Sequence, residues 1–148
     1  MKATHNVLIV ADDDEEDRML MRRALEKAGV QAQVITVEDG DELLRYLRKQ
    51  GAFAGSPTPD LILLDLNMPR KDGRTALKEI RDDPALRTIP VVAVTTSSNE
   101  EDVRRMYELG VNAYVRKPTE FKRLVEIAHA LERHWFGTVL LPGAALLE

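Results

Sequence analysis

The side chains in this chain whose placement could do chemistry are carboxylates, hydroxyls and one lysine. Six acids follow one another as Asp12-Asp13-Asp14-Glu15-Glu16-Asp17. Asp65 ends a short apolar run, Leu61-Ile62-Leu63-Leu64. Thr95-Thr96-Ser97-Ser98 ends another, Val91-Val92-Ala93-Val94, and Lys117-Pro118 follows a weaker one at residues 111–115. Closely spaced carboxylates repel and resist ionising together. A hard divalent cation removes that conflict, and Mg²⁺ commonly takes one or two carboxylates together with water and a phosphate oxygen. Glu15, Glu16 and Asp17 have a plainer explanation: acids are favoured in the first turn of a helix, with Asp13 or Asp14 as its cap. That explanation serves Asp12, Asp13 and Asp65 less well. An EF-hand fits poorly, because the run lacks the glycine and the distant glutamate of such a loop. Taken alone, Lys117 reads as a solvated cation and Thr95 as a satisfied strand-end hydroxyl. A position shared with the acids would make them a charge partner and a hydrogen-bonding group.

That shared position depends on the elements that carry these residues. Apolar runs occur at residues 7–11, 34–37, 61–64, 91–94 and 111–115. Three are continuous, as strands buried on both faces should be. Helical spacing fills the gaps. Residues 15–28 place Met19, Leu20, Ala24, Leu25 and Ala28 on one side, and Gly29 stops the pattern. Residues 41–49 carry Leu43, Leu44 and Leu47, and residues 75–81 carry Ala76, Leu77 and Ile80 before Pro84. Ser98 with Glu101 makes a capping-box pattern, ahead of a buried side expected at Val103, Met106 and Tyr107. Phe121, Leu124, Val125, Ala128 and Leu131 mark the last long helix.

Five strand-then-helix units imply a parallel sheet with right-handed crossovers and helices on both faces. A closed eight-unit barrel needs more than 148 residues. The remaining α/β architecture is an open doubly wound five-stranded sheet, in which ligands collect beyond the carboxyl ends of the strands. The acids, Thr95 and Lys117 would then meet on one rim.

Composition excludes several classes. There is no cysteine, so disulfides, thiolate zinc sites and cysteine nucleophiles are out. Twenty-one Lys and Arg against 25 Asp and Glu leave a net charge of −4, which speaks against a general nucleic-acid binder. No run reaches membrane-spanning length, and the first residues lack the apolar stretch of a signal peptide. A cytoplasmic protein with neither a nucleic-acid nor a membrane partner is expected. His5, His129 and His134 do not form a metal constellation; the last two are five apart and should diverge on a helix.

The segments at the strand ends resemble a two-component response regulator receiver domain of the CheY-like kind, over about residues 6–133. They are Val7-Leu8-Ile9-Val10-Ala11-Asp12-Asp13-Asp14, Leu64-Asp65-Leu66-Asn67-Met68-Pro69-Arg70-Lys71-Asp72-Gly73, residues 89–97 and residues 110–118. The resemblance implies a flavodoxin-like sheet of order 2-1-3-4-5. Asp65 would be the phosphoacceptor for a phosphoryl group carried by a histidine of a sensor kinase. Asp12, Asp13, Asp65 and the backbone carbonyl of Asn67 would hold Mg²⁺. Thr95 would hydrogen-bond a phosphoryl oxygen, and Lys117, before a peptide bond that is typically cis, would pair with its charge. Thr95 and Tyr114 would form the switch, read out on the face of the fourth helix, fifth strand and fifth helix. Asn67, Thr96 and Ser97 would tune the lifetime of the signal.

The expected receiver domain spans residues 5–135, and residues 136–148 form an apolar extension. Trp135 and Phe136 either fold back on the last helix or serve contacts between molecules. Leu147-Glu148 is compatible with a cloning remnant. The extension, with residues 83–87 and 107–110, is similar to the single-domain regulators paired with bacterial phytochrome kinases, many of which dimerise through the output face and this extension. A phosphoacceptor rather than a turnover enzyme is expected. The alternatives are an aspartyl-phosphate-forming phosphatase, which usually has a second aspartate where Asn67 stands, and a phosphorylation-independent interaction module.

Overall fold

A computed structural model describes residues 6–142. The elements are β1 (Asn6–Ala11), α1 (Glu15–Lys27), β2 (Ala32–Val37), α2 (Gly40–Leu47), β3 (Leu61–Leu64), α3 (Gly73–Asp82), β4 (Val91–Thr95), α4 (Glu100–Leu109), β5 (Ala113–Arg116) and α5 (Phe121–Arg133). One turn of 3-10 helix lies at Gly51–Phe53, and a π-helical turn at His134–Thr138 continues α5. The five strands form a parallel sheet of order β2-β1-β3-β4-β5. The flavodoxin-like expectation is met.

Alternation along each strand divides the core into two layers. Ile9, Ala11, Ile62, Leu64, Val91 and Ala93 face α2, α3 and α4. Leu8, Val10, Leu61, Leu63, Val92 and Val94 face α1 and α5. Registered partners share a face: Leu8 lies beside Leu61, Ile62 beside Val91, and Val92 beside Ala113. Covering both faces is why the central runs are continuously apolar.

Caps fix where the helices begin. Asp14, Asp39 and Asp72 accept hydrogen bonds from the backbone N–H groups of Asp17, Glu42 and Thr75. Asn99, not Ser98, caps α4, accepting from the N–H groups of Glu101 and Asp102. Gly110 ends α4 with φ 106°, a left-handed conformation that glycine adopts freely.

Three expected core positions face outward. Met19 is 44% exposed, and Met21 takes its place beside Ala24 and Leu25. Phe121 is exposed, and Leu124, Ile127, Ala128 and Leu131 form the inward stripe of α5. Both stripes follow i, i+3, i+4, i+7 spacing, which leaves Met19 off the buried arc; Phe121 has stripe spacing to Leu124 and Ala128 but is the first residue of α5, where it borders a cavity with Asp17 and Lys117. Tyr107 is 50% exposed because Met106, one step round the helix, occupies the inward position.

Trp135 and Phe136 pack, partly buried, on the α1 and α5 layer of the same chain, and Leu141 is buried. Pro142 reaches a cavity shared with Pro59, Ile89 and Pro90. Trp135 and Phe136 thus fold back on the layer that carries the last helix. His5, Leu147 and Glu148 lie outside the described residues.

Candidate metal and phosphoryl site

Parallel strands deliver their carboxyl ends to one rim. Asp12 and Asp13 follow β1, Asp65 follows β3, Thr95 is the last residue of β4, and Lys117 follows β5. Only four polar or charged side chains are buried among the described residues: Asp12, Asp39, Asp65 and Thr95. Three of the four stand on this rim, so the cost of burying polarity is concentrated here.

Oxygens of Asp12, Asp13 and Asp65 lie within 4.8 Å of one another. The Lys117 ammonium donates to Asp12 Oδ2 at 2.7 Å, Asp17 Oδ2 at 3.0 Å and Asp65 Oδ2 at 3.4 Å. Burial alone would push Lys117 down, but the hydrogen bonds and charges of these acids outweigh it and raise its pKa. It therefore remains an ammonium at neutral pH. Burial pushes the Asp12 carboxyl up from the ordinary carboxylate value and the Asp65 charge adds to this, against the pull of Lys117 and the Asp14 N–H. The Asp14 N–H donates to Asp12 Oδ1 at 3.0 Å, and Arg18 donates to the Asp12 backbone carbonyl at 2.7 Å.

Asp65 is set by close backbone packing. Its N–H donates to the Ala11 carbonyl, and the Gly73 N–H returns to the Leu66 carbonyl at 2.9 Å. A Cβ on Gly73 would collide with the Asp65 carbonyl oxygen and stand 2.8 Å from Leu66 Cα. The β3–α3 loop is held at its far side as well: Arg70 donates from Nε to Asp39 Oδ2 at 2.8 Å, and Gly40 N–H to the Lys71 carbonyl at 2.9 Å. Asn67 is exposed, and its backbone N–H points to Asp65 Oδ1 at 3.4 Å.

Thr95 Oγ1 is fully buried with no hydrogen-bond partner among the described residues. Thr96 is exposed. The Ser97 hydroxyl donates to Asp102 Oδ2 at 2.7 Å, and Asp102 pairs with Arg74 at 3.2 Å, so Ser97 is engaged by α4. The Tyr114 hydroxyl donates to the Ser97 carbonyl at 2.8 Å, and its N–H donates to the Tyr107 hydroxyl at 3.2 Å. No cis peptide bond occurs among the described residues, so the Lys117–Pro118 bond is trans, contrary to expectation.

Asp17 is the site contact that helix-dipole reasoning missed. A signal was present. Asp17 stands four residues before Met21, at the rim end of α1's inward stripe.

An all-oxygen acidic cluster suits a hard divalent cation such as Mg²⁺. The orphaned Thr95 hydroxyl suits an added acceptor oxygen. The set therefore fits a metal-assisted phosphoryl site.

Residues 7–129 match the response regulator receiver domain family. The chain is 42% identical over 138 residues to the response regulator Rcp1 of Synechocystis sp., covering 93% of this chain and 94% of that one. It is similar to the phosphorylated cyanobacterial phytochrome response regulator RcpA, with TM-score 0.89, 43% identity, and coverage of 94% and 99%. The Mn²⁺-bound form of Rcp1 aligns with TM-score 0.85 at 42% identity, covering 93% and 99%. The chain belongs to the response regulator receiver domain family.

Proposed function

We propose that Asp65 accepts a phosphoryl group from a phosphohistidine of a sensor kinase, of the bacteriophytochrome class. The observation that carries this is the Lys117 ammonium touching Asp12 and Asp65, residues brought together from 105 and 52 positions away. An Asp65 oxygen forms the new bond to phosphorus while the donor's N–P bond breaks, and the donor imidazole keeps the electron pair and takes up a proton. Asp12, Asp13, Asp65 and the Asn67 carbonyl would hold Mg²⁺, which supplies charge neutralisation between nucleophile and phosphoryl oxygens. Lys117 contributes a second positive charge, and Thr95 donates its free hydroxyl to a phosphoryl oxygen.

Signalling follows from differential contacts. Movement of Thr95 toward the new oxygens opens space beside Tyr114, whose bond to the Ser97 carbonyl must then break. Ser97 leads to Asp102, so the change reaches the start of α4. Asn67 and Thr96, both exposed, would together with Ser97 govern water attack and phosphate lifetime. A homodimer through the α4-β5-α5 face is part of the same reading: Tyr107 is half exposed on α4. Sedimentation of the full chain before and after phosphorylation tests it, and an unchanged monomer in both would remove it.

The test of the transfer itself is incubation with acetyl phosphate and Mg²⁺, followed by intact mass. One phosphoryl group is expected on the wild type and none on Asp65→Asn. Undiminished labelling of Asp65→Asn would place the acceptor elsewhere and overturn the assignment.

A further inference from the structure

We propose that Asp17 is a positioning residue for phosphoryl acceptance: its carboxylate holds the Lys117 ammonium away from Asp65 and so restrains the rate. The proposal rests on Asp65 being the acceptor. An ammonium has three N–H donors. Two are engaged at short range, by Asp12 at 2.7 Å and Asp17 at 3.0 Å, whereas the phosphoacceptor is the most distant partner at 3.4 Å.

Asp17 has no other evident task at this site. The mutually close ligand oxygens belong to Asp12, Asp13 and Asp65. The first turn of α1 is capped by Asp14, which accepts from the Asp17 backbone N–H and leaves the Asp17 side chain unused. That side chain reaches across to Lys117, from α1 to the residue after β5.

A phosphoryl group brings a charge of about −1.5 to −2 and three acceptor oxygens. One Lys117 donor already faces Asp65, and bringing a second to those oxygens requires Asp12 or Asp17 to yield. Asp12 is buried and is required by the cation site. Asp17 is 36% exposed and its release is compensated by water, so it is the partner that yields. Until then its charge also opposes the approaching phosphoryl oxygens.

Asp17→Asn keeps the size and the helix and removes the charge. The pair is open to water only on its Asp17 side, and part of its strength is lost on approach of the phosphoryl group, so acceptance from acetyl phosphate should quicken about two- to fivefold. Affinity for beryllofluoride, a phosphoryl mimic followed by fluorine NMR, should rise by a similar factor. Glu16→Gln makes the same charge change on an exposed neighbour with no contact to Lys117, and should leave both readings at the wild-type value. Mg²⁺ affinity of Asp17→Asn measured alone should stay within about twofold, since the Asp17 carboxylate is neutralised by Lys117 and is not among the mutually close ligand oxygens. Asp17→Ser, checked by its urea midpoint, repeats the test should the amide disturb packing.

Equal effects of Asp17→Asn and Glu16→Gln would reduce the contact to general field and overturn the proposal. So would a large loss of Mg²⁺ affinity, which would make Asp17 a ligand. Labelling of wild type at Asp65 with no response to either Asp17 variant removes only this inference. Failure of wild type to label removes the acceptor assignment and this inference with it.

Discussion

Thr95→Val should stabilise the unphosphorylated protein while impairing its response. The Thr95 side chain is 0% exposed at the end of a central strand, and its hydroxyl is the one buried side-chain polar atom without a partner among the described residues. A buried polar group left unpaired costs about 1–3 kcal/mol. Valine has nearly the same shape, replaces the hydroxyl with a methyl, and suits a buried strand. The net gain should be about 1–2 kcal/mol. With a urea m-value of about 2 kcal/mol/M for a chain this size, the midpoint should rise by roughly 0.5–1 M. The melting temperature should rise by about 2–8 °C, at roughly 2–4 °C for each kcal/mol. Equilibrium urea unfolding at neutral pH without acetyl phosphate is the assay. The same variant should lose the gain in stability that beryllofluoride and Mg²⁺ confer on the wild type. A midpoint at or below the wild-type value would refute the reasoning, since it would mean the hydroxyl is satisfied.

Two further expectations follow from contacts near the site. Gly73→Ala should lower stability by about 2–3 kcal/mol and slow phosphorylation, because its Cβ meets the unyielding backbone of Asp65 and Leu66. Gly55→Ala, with open space around its Cβ, is the control, and an unchanged urea midpoint for Gly73→Ala would refute the crowding. Burial would push the Asp39 carboxyl up, but the Glu42 N–H and Arg70 hold it below its ordinary value. A carboxyl depressed on folding contributes stability that is fully present above its unfolded pKa of about 3.9, and loses it as pH falls through the folded value. Asp39→Asn should therefore flatten the decline of urea midpoints below about pH 4; an unchanged slope would count against it.

The fold was largely legible in the sequence because its signals are local. Each strand is short, apolar and followed at once by polar residues, and each helix carries a stripe. Errors arose where several hydrophobic residues competed for a stripe. Met19, Leu20 and Met21 are consecutive, and of the three Met21 has the i+3, i+4, i+7 relation to Ala24, Leu25 and Ala28 and is the one in the core. Ser98 and Asn99 both suit a cap, and the one-residue difference depends on where the chain leaves β4. The fifth run was weak for a physical reason: β5 is an edge strand and is only partly buried.

The sequence by itself determined the order of elements, the parallel sheet and the rim on which Asp12, Asp65, Thr95 and Lys117 stand. Alternation and strand direction suffice for that, since residues just beyond parallel strands must share an edge. Only the tertiary structure decided which partners those side chains take. Lys117 bonds Asp17 as well as Asp12, Ser97 turns to Asp102, and Thr95 bonds to no side chain among the described residues. Such pairings depend on rotamer, helix rotation and distances of a few tenths of an ångström between segments far apart in the chain. No local pattern encodes these.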